Sequence, residues 1–304
     1  MSDTPPLVSV IICTHNRSAD VLECLDILQA HRERLPVEIL VIDSASSAEH
    51  AQILRDRLKD LPVSYLRLDE PGLSKARNAG MKAAKGSWLW YVDDDAVPFP
   101  DWPETVRSVV AEASADTAII GGRVIPRFAA GTTAPQLTPR WLALLSCVDD
   151  DAPGFVADGH NIVGANLMVR RDALTEAGGF SEQLGRKGDK LLSGEEVLLI
   201  EHFHDRGLSC AYDPRVQVHH KISAERLKVK WAGDRAYWEG YSRYVVMKLL
   251  GRGIPAAMNP LKLQVSGVVL QALLLIKPND PDLTIRKRMA KGTLDAMAAG
   301  DVIS

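Results

Sequence analysis

Residues 87–97, SWLWYVDDDAV, decide how the rest of the chain is read. Trp88, Leu89, Trp90, Tyr91 and Val92 form an apolar, aromatic run of the kind that makes a buried strand. The run ends in three carboxylates, Asp93, Asp94 and Asp95. Three adjacent like charges are tolerated in water or beside a cation. In open α/β sheets, ligands bind outside the carboxyl ends of strands. A buried strand that delivers three aspartates to its own end therefore predicts a divalent-metal site, since such ions take one or two carboxylates plus substrate phosphates. A solvated acidic turn is the plain alternative for the triplet alone.

Upstream of this strand the pattern alternates. Residues 7–13 (LVSVIIC) read as a buried strand running into the polar turn Thr14-His15-Asn16-Arg17. Ser18 is placed to cap a helix carrying Val21, Leu22, Leu25 and Leu28. Residues 37–42 form the next strand and end at Asp43. Ser46 and Glu49 have capping-box spacing for a second helix. A third strand over 63–68 and a short helix over 72–85 precede the aspartate strand. Strand–helix repeated three times implies a parallel sheet with crossovers. All the strand-end polar residues then share one rim. No G-x-G-x-x-G or Walker lysine loop accompanies them.

Downstream, a helix follows Asp101 and a strand covers 117–124. Residues 126–160 read as irregular, 162–169 as a strand, and a short helix begins at Leu174. The loop 185–193 leads to a helix opening with Gly194-Glu195-Glu196. A strand over 210–218 ends at His219-His220. The tail is helical, including an apolar segment over 261–276 that is short for a membrane span, which needs about 20 residues. It is expected to be a packed or membrane-surface helix.

A composition of 46% hydrophobic and 25% charged residues over 304 positions suits a globular chain with ample core. Cys13, Cys24, Cys147 and Cys210 lack metal-type spacing and are expected to be free thiols. The N-terminus shows no secretory pattern. The net charge of −3 is uneven: residues 221–304 carry 14 Lys/Arg against 7 Asp/Glu, leaving the front acidic. A basic tail points to an anionic surface such as a membrane; no nucleic-acid partner is expected.

The strand-end residues suggest chemistry directly. Asp43 can accept hydrogen bonds from a base or ribose, and Arg17 and Arg77 can fork onto phosphate oxygens. Glu195 or Glu196 can serve as general base for an acceptor hydroxyl, with the helix N-terminus favouring the ionised form. His220 can act as a neutral imidazole ligand to the ion.

The ordered segments VSVIICTHNR, EILVIDSAS, PGLSKARNAGMKAAKGSWLWYVDDD, GANLMVRR, GGF, LLSGEEV and YDPRVQVHH resemble the family-2 inverting glycosyltransferases over roughly residues 7–245. The resemblance implies an α/β GT-A fold, a mixed sheet flanked by helices with a helical C-terminal region. It places a catalytic domain at 1–222, with a donor half at about 1–125 and an acceptor half at about 126–222. Residues 223–304 are left for membrane-surface or oligomer contact. It implies a nucleotide-diphosphate sugar donor, with a UDP-sugar favoured, Mn²⁺ or Mg²⁺, and a saccharide or lipid-linked acceptor. A cytoplasmic place follows, with peripheral contact at the inner membrane face through the basic tail.

Carried over by position, Thr14, His15, Asn16, Arg17, Asp43, Gly72, Arg77, Asn78, Asp93 and Asp94 fall on the donor side. His15 matches a base-stacking position. Asp95, Asp93 and His220 match the metal ligands, with Asp95 the direct one. Glu196 occupies the place of the catalytic base, with Glu195 before it, and Trp141 and Asn166 are expected on the acceptor side. Glu196 departs from the family's usual Asp. Its carboxylate reaches about 1.5 Å further, and a misplacement of ~1 Å can cost roughly a hundredfold in rate. That departure keeps a non-catalytic scaffold as an alternative, and Asp93 to Val97 also fits a D-x-D-x-V phosphohydrolase motif.

Overall fold

Alternating strands and helices build one mixed sheet in the computed structural model, which describes residues 6–133, 135–151, 154–155 and 162–300. The first half comprises β1 (Val8–Thr14), α1 (Ser18–His31), β2 (Val37–Ser44), α2 (Ala48–Leu58), β3 (Ser64–Leu68), α3 (Leu73–Ala83), β4 (Trp88–Asp93), β5 (Ala96–Pro98) and α4 (Trp102–Glu112). There follow β6 (Thr117–Phe128), α5 (Pro139–Leu144), β7 (Gly154–Phe155), β8 (Asn166–Arg170), α6 (Arg171–Glu176), α7 (Glu195–Asp205) and β9 (Ser209–Ile222). The chain continues as α8 (Val229–Leu249), α9 (Pro260–Ile276) and α10 (Pro281–Ala299).

The strand order is β3-β2-β1-β4-β8-β6-β9-β5, with β7 also paired to β9. The first four strands of the path are parallel, as the repeated strand–helix pattern predicts. Beyond β4 the sheet turns mixed: β8 runs antiparallel to both β4 and β6, while β6 and β9 are parallel. β4 is therefore central, and its residues from Trp88 to Val92 are buried on both faces.

Side chains alternate across a strand, and each face of the sheet has its own cover. Val8, Val10, Ile12, Trp90 and Val92 pack under α1, α2 and α4. Ile11, Leu89 and Tyr91 pack under α3, α6 and α7. A third cluster joins α5 to α8 and α10 through Trp141, Leu144, Ala232, Ala236 and Ile285. The α8–α10 pair is close enough to require glycine at two places. A Cβ on Gly240 would lie 2.0 Å from the Met289 carbonyl oxygen, and one on Gly292 would lie 1.8 Å from that of Tyr237.

Several local expectations are corrected. Ser18 is already inside α1, and its hydroxyl meets His50 Nδ1 at 2.9 Å; the cap position belongs to Arg17. The cap of α2 is Ser47, one residue after Ser46, because the Ser46 hydroxyl accepts from the Asn16 amide instead. The stretch read as irregular from 126 is strand to Phe128 and helical over Pro139–Leu144, capped by Thr138. The short helix starts at Arg171 rather than Leu174. The four cysteines are unpaired, as expected.

Candidate active site

The end of β4 spreads its three aspartates into three environments. Asp93 continues the Leu89–Tyr91 side of the strand, toward α3. There it faces Arg77 Nη2 at 3.5 Å. Asp94 and Asp95 lie in the turn before β5 and face α1 and β9. Asp94 accepts from the Thr14 hydroxyl at 2.7 Å and from Arg17 Nη1 at 3.2 Å. Asp95 accepts from Arg17 at 2.5 Å and from Arg226 Nη2 at 3.1 Å, and its other oxygen lies 3.1 Å from His220 Nε2.

The two buried neighbours titrate apart. Burial, with the Asp95 charge next in weight, pushes the Asp94 carboxyl up to about 7. Burial also acts on Asp95, but His220, Arg226 and Arg17 hold it well below the ordinary carboxylate range. Two adjacent carboxyls that cannot both carry charge cheaply are thereby split into one shared and one firmly ionised.

The Asp95–His220 edge fits a divalent ion. Arg226 Nη1 lies 3.3 Å from His220 Nε2. Nε2 also lies 3.1 Å from the Asp95 carboxylate oxygen. Adjacent ligands of an octahedral ion with bonds of 2.0–2.1 Å lie about 3 Å apart. Of the three predicted metal ligands, Asp95 and His220 come together, while Asp93 turns to Arg77. Among the described residues no group of three or more His, Cys, Asp and Glu side chains gathers for a metal. The remaining ligands would have to come from substrate or water.

The base candidates sit across the same cleft of about 310 Å³, which Thr14, His15, Arg17, Gly72, Asp93 to Asp95, Glu195 and Glu196 all line. Gly194, in the left-handed region at φ 87°, turns the chain from the loop into α7. That turn sets both glutamates at the helix start. Glu195 is buried and accepts from Arg77 Nη1 at 2.7 Å. Glu196 has no such cation, and its Oε2 is buried without a hydrogen-bond partner. Burial and the neighbouring Glu195 push the Glu196 carboxyl up to about 7. The expected bias of the helix N-terminus toward the ionised form is outweighed.

Other predicted residues take supporting roles. Arg77 is not a free phosphate fork. It is buried, bound to Glu195 and the Gly164 carbonyl, and lies 5.4 Å from the Phe180 ring centroid. Asn78 pairs both ways with the Phe180 backbone, at 2.8 Å each, and does not line the cleft. Asn16 bridges to the second strand-end turn through Ser46 and Ser47. Exposed His15 is oriented by the Ser44 carbonyl at 2.7 Å. Asp43 is fully buried, holding the Ser46 amide and the Tyr65 hydroxyl. The Gly72 amide donates to Ser44 Oγ.

The two residues expected on the acceptor side are both buried. Trp141 is 1% exposed in the α5–α8 cluster, its indole donating to the Arg226 carbonyl. It braces the segment that presents Arg226. Asn166 is fully buried: it accepts from Trp90 Nε1 and donates to the Arg123 and Val216 carbonyls. Those carbonyls flank the register shift between β6 and β9, so Asn166 repairs a break in the ladder.

Three cationic residues in or near the cleft were not singled out from sequence. Arg226 reaches Asp95 and His220. Arg186 and Arg235 line the cleft wall, and Arg235 Nη1 is buried without a partner. Arg226 and Arg235 belong to the tail, whose positive balance was the only signal of them.

Comparison with known proteins places the chain in a family and a fold. The profile of glycosyl transferase family 2 matches residues 9–178. The chain is 28% identical over 245 residues to a glucosyl-dolichyl phosphate glucuronosyltransferase of Haloferax volcanii, covering 79% of this chain and 77% of that protein. It is 25% identical over 260 residues to the succinoglycan biosynthesis protein ExoM of Rhizobium meliloti, covering 83% and 79%. The structure of the mannosyltransferase PcManGT from Pyrobaculum calidifontis, in complex with GDP-Man and Mn²⁺, superposes with a TM-score of 0.63 at 17% identity. That match covers 98% of this chain and 89% of the other. A GalNAc-T7 structure with UDP, GalNAc and Mn²⁺ matches at a TM-score of 0.55 and 17% identity, covering 79% of this chain and 50% of that one.

Proposed function

The chain belongs to glycosyl transferase family 2 and is a GT-A glycosyltransferase, and from that premise we propose that it moves a sugar from a nucleotide-diphosphate donor, a UDP-sugar by preference, to an acceptor hydroxyl with inversion. The acceptor is a saccharide or lipid-linked saccharide, as the name of the Haloferax relative suggests. The observation that carries the reading is Glu196, a carboxyl poised near neutrality in the cleft that the three aspartates line.

In this reading Thr14, His15, Arg17 and Asp94 form the donor wall. Asp95 and His220 would hold Mn²⁺ or Mg²⁺. When bound, the ion supplies charge neutralisation for the departing diphosphate. Arg226 keeps Asp95 ionised and aimed. The acceptor oxygen attacks the anomeric carbon as the bond to the diphosphate oxygen breaks, and its proton passes to Glu196. A base with a value near the working pH is best matched to that transfer. Arg77 neutralises Glu195, which leaves Glu196 as the glutamate without a cation of its own.

The test is a thermal-shift panel of UDP, GDP, CMP and TDP, each with and without Mn²⁺. A ligand that binds only the folded state raises the melting temperature. A Mn²⁺-dependent rise with UDP above the others is expected. A larger rise with GDP would overturn the UDP preference, and none with any nucleotide would overturn the donor site.

A further inference from the structure

Eleven large apolar side chains stand exposed among the described residues, and seven of them lie on α9: Leu261, Val265, Val268, Val269, Leu273, Leu275 and Ile276. Its one buried residue is Leu270, on the side toward α10. At 100° per residue, Leu261, Val265, Val268, Leu275 and Ile276 cluster on the opposite side, away from the protein. Val268 is 72% exposed, and Leu275 and Ile276 are 77% exposed. A helix with apolar residues on both its inner and outer sides is ordinarily buried on both. Here the fold covers one.

The border of this face is cationic. α9 contains Lys262 and no acidic residue, Lys277 follows its end, and Arg286 and Lys287 lie on the adjacent α10. A shallow groove of about 450 Å³ along α9 is lined by Val265, Val269 and Leu273 and edged by Lys262 and, from α10, Arg286. Apolar lining with basic rim matches an acyl chain and an anionic headgroup. A second copy of the chain would bring the same cations face to face, which opposes self-association through this surface. The helix is 17 residues, about 25 Å long, and no helix among the described residues is long and apolar enough to cross a membrane.

We propose that α9 lies flat in the interface of an anionic lipid bilayer, its outer face in the acyl boundary and Lys262, Lys277, Arg286 and Lys287 at headgroup level. Interfacial helices combine apolar insertion with electrostatic attraction in this way. α10 connects the surface to the active site, because it packs on both α9 and α8, and α8 carries Arg235 to the cleft. The proposal does not rest on the identity of the donor.

The experiment is flotation of the full chain with vesicles of phosphatidylcholine alone or mixed 3:1 with phosphatidylglycerol, beside sedimentation velocity without lipid. Wild type is expected to float with the anionic vesicles, at least tenfold less with the neutral ones, and to be released as salt rises. Val268→Asp combined with Leu275→Asp is expected to lower flotation at least tenfold. Both sites are exposed, so the melting temperature and any nucleotide-induced shift should stay unchanged. Failure to float with anionic vesicles overturns the proposal, as does a dimer that the same double variant dissociates. Loss of the nucleotide shift with flotation intact would count against the donor site alone.

Discussion

Glu196→Gln separates a base from a bystander. The wild-type carboxyl, raised to about 7 by burial and by Glu195, is about one-tenth ionised at pH 6 and about nine-tenths at pH 8. If it takes the acceptor proton, turnover should climb roughly tenfold across that interval. Glutamine fills similar space but cannot take the proton, and loss of a general base costs about 10²–10⁴-fold in rate. The variant should therefore lose that factor and also the rising limb of its pH profile. Stability should move the opposite way. The folded value exceeds the ordinary 4.5, so the fold favours the protonated form. That contribution is complete below about pH 4.5 and is lost as pH rises through 7. The variant should melt several degrees above wild type at pH 8, for a gain on the order of 1–3 kcal/mol, and level with it at pH 5. The assay is release of nucleoside diphosphate from UDP-sugars in Mn²⁺ from pH 5.5 to 8.5, with melting curves in the same buffers. A variant within twofold of wild-type rate, or one that keeps the same rising limb, would refute the assignment.

Arg77→Met leaves Glu195 buried without its cation, a loss of about 3–5 kcal/mol, and the melting temperature should fall by roughly 10 °C. Adding Glu195→Gln should recover part of it; two additive losses would mean the pair is not coupled. Asn166→Leu strands the Trp90 indole and the Arg123 and Val216 carbonyls, at about 1–3 kcal/mol for each unmet group. Melting should register this while nucleotide affinity, by titration calorimetry, stays put; an unchanged melting temperature with altered acceptor use would return Asn166 to the acceptor side. Asp95→Asn removes the ionised member of the metal edge, and the Mn²⁺-dependent part of any nucleotide-induced thermal shift should vanish. Full retention of that part would show that the ion is held elsewhere.

The parallel half of the fold was legible because local pattern and global arrangement agree there. Residues 7–13 and 88–92 are apolar runs between turn residues, and β1 and β4, which they form, are buried on both faces. The second half hid for the opposite reason. Asn166 is a polar residue at the start of a central strand, and its meaning depends on carbonyls 43 and 50 positions away. Trp141 stood in a stretch rich in Pro, Gly and Ala, where an isolated aromatic resembles a ligand platform. Six helical residues capped by Thr138 turn it inward. Arg77 shows a third kind of miss. Its place beside the site was readable, but its partner Glu195 is 118 residues on, so a structural cation passed for a phosphate ligand.

The aspartate triplet shows why residue type does not settle chemistry. Asp93, Asp94 and Asp95 are identical and adjacent, yet one lies by a buried arginine, one is driven toward protonation and one is kept ionised. Strand alternation accounts for the first division, sending Asp93 to the α3 side. The division between Asp94 and Asp95 comes from groups that arrive late in the chain. His220 lies two residues before the end of the long β9 strand, and Arg226 is placed by the turn after it and by the Trp141 indole on its carbonyl. Without those two, Asp94 and Asp95 would share Arg17 and repel each other on nearly equal terms. The proposed metal edge is thus built jointly, a carboxylate from the parallel half and an imidazole from β9 in the mixed half. The guanidinium that keeps the carboxylate charged comes from the helical tail. Charge on the tail first suggested only a surface; in the structure Arg226 and Arg235 reach the site, and Lys262, Lys277, Arg286 and Lys287 lie on or beside α9.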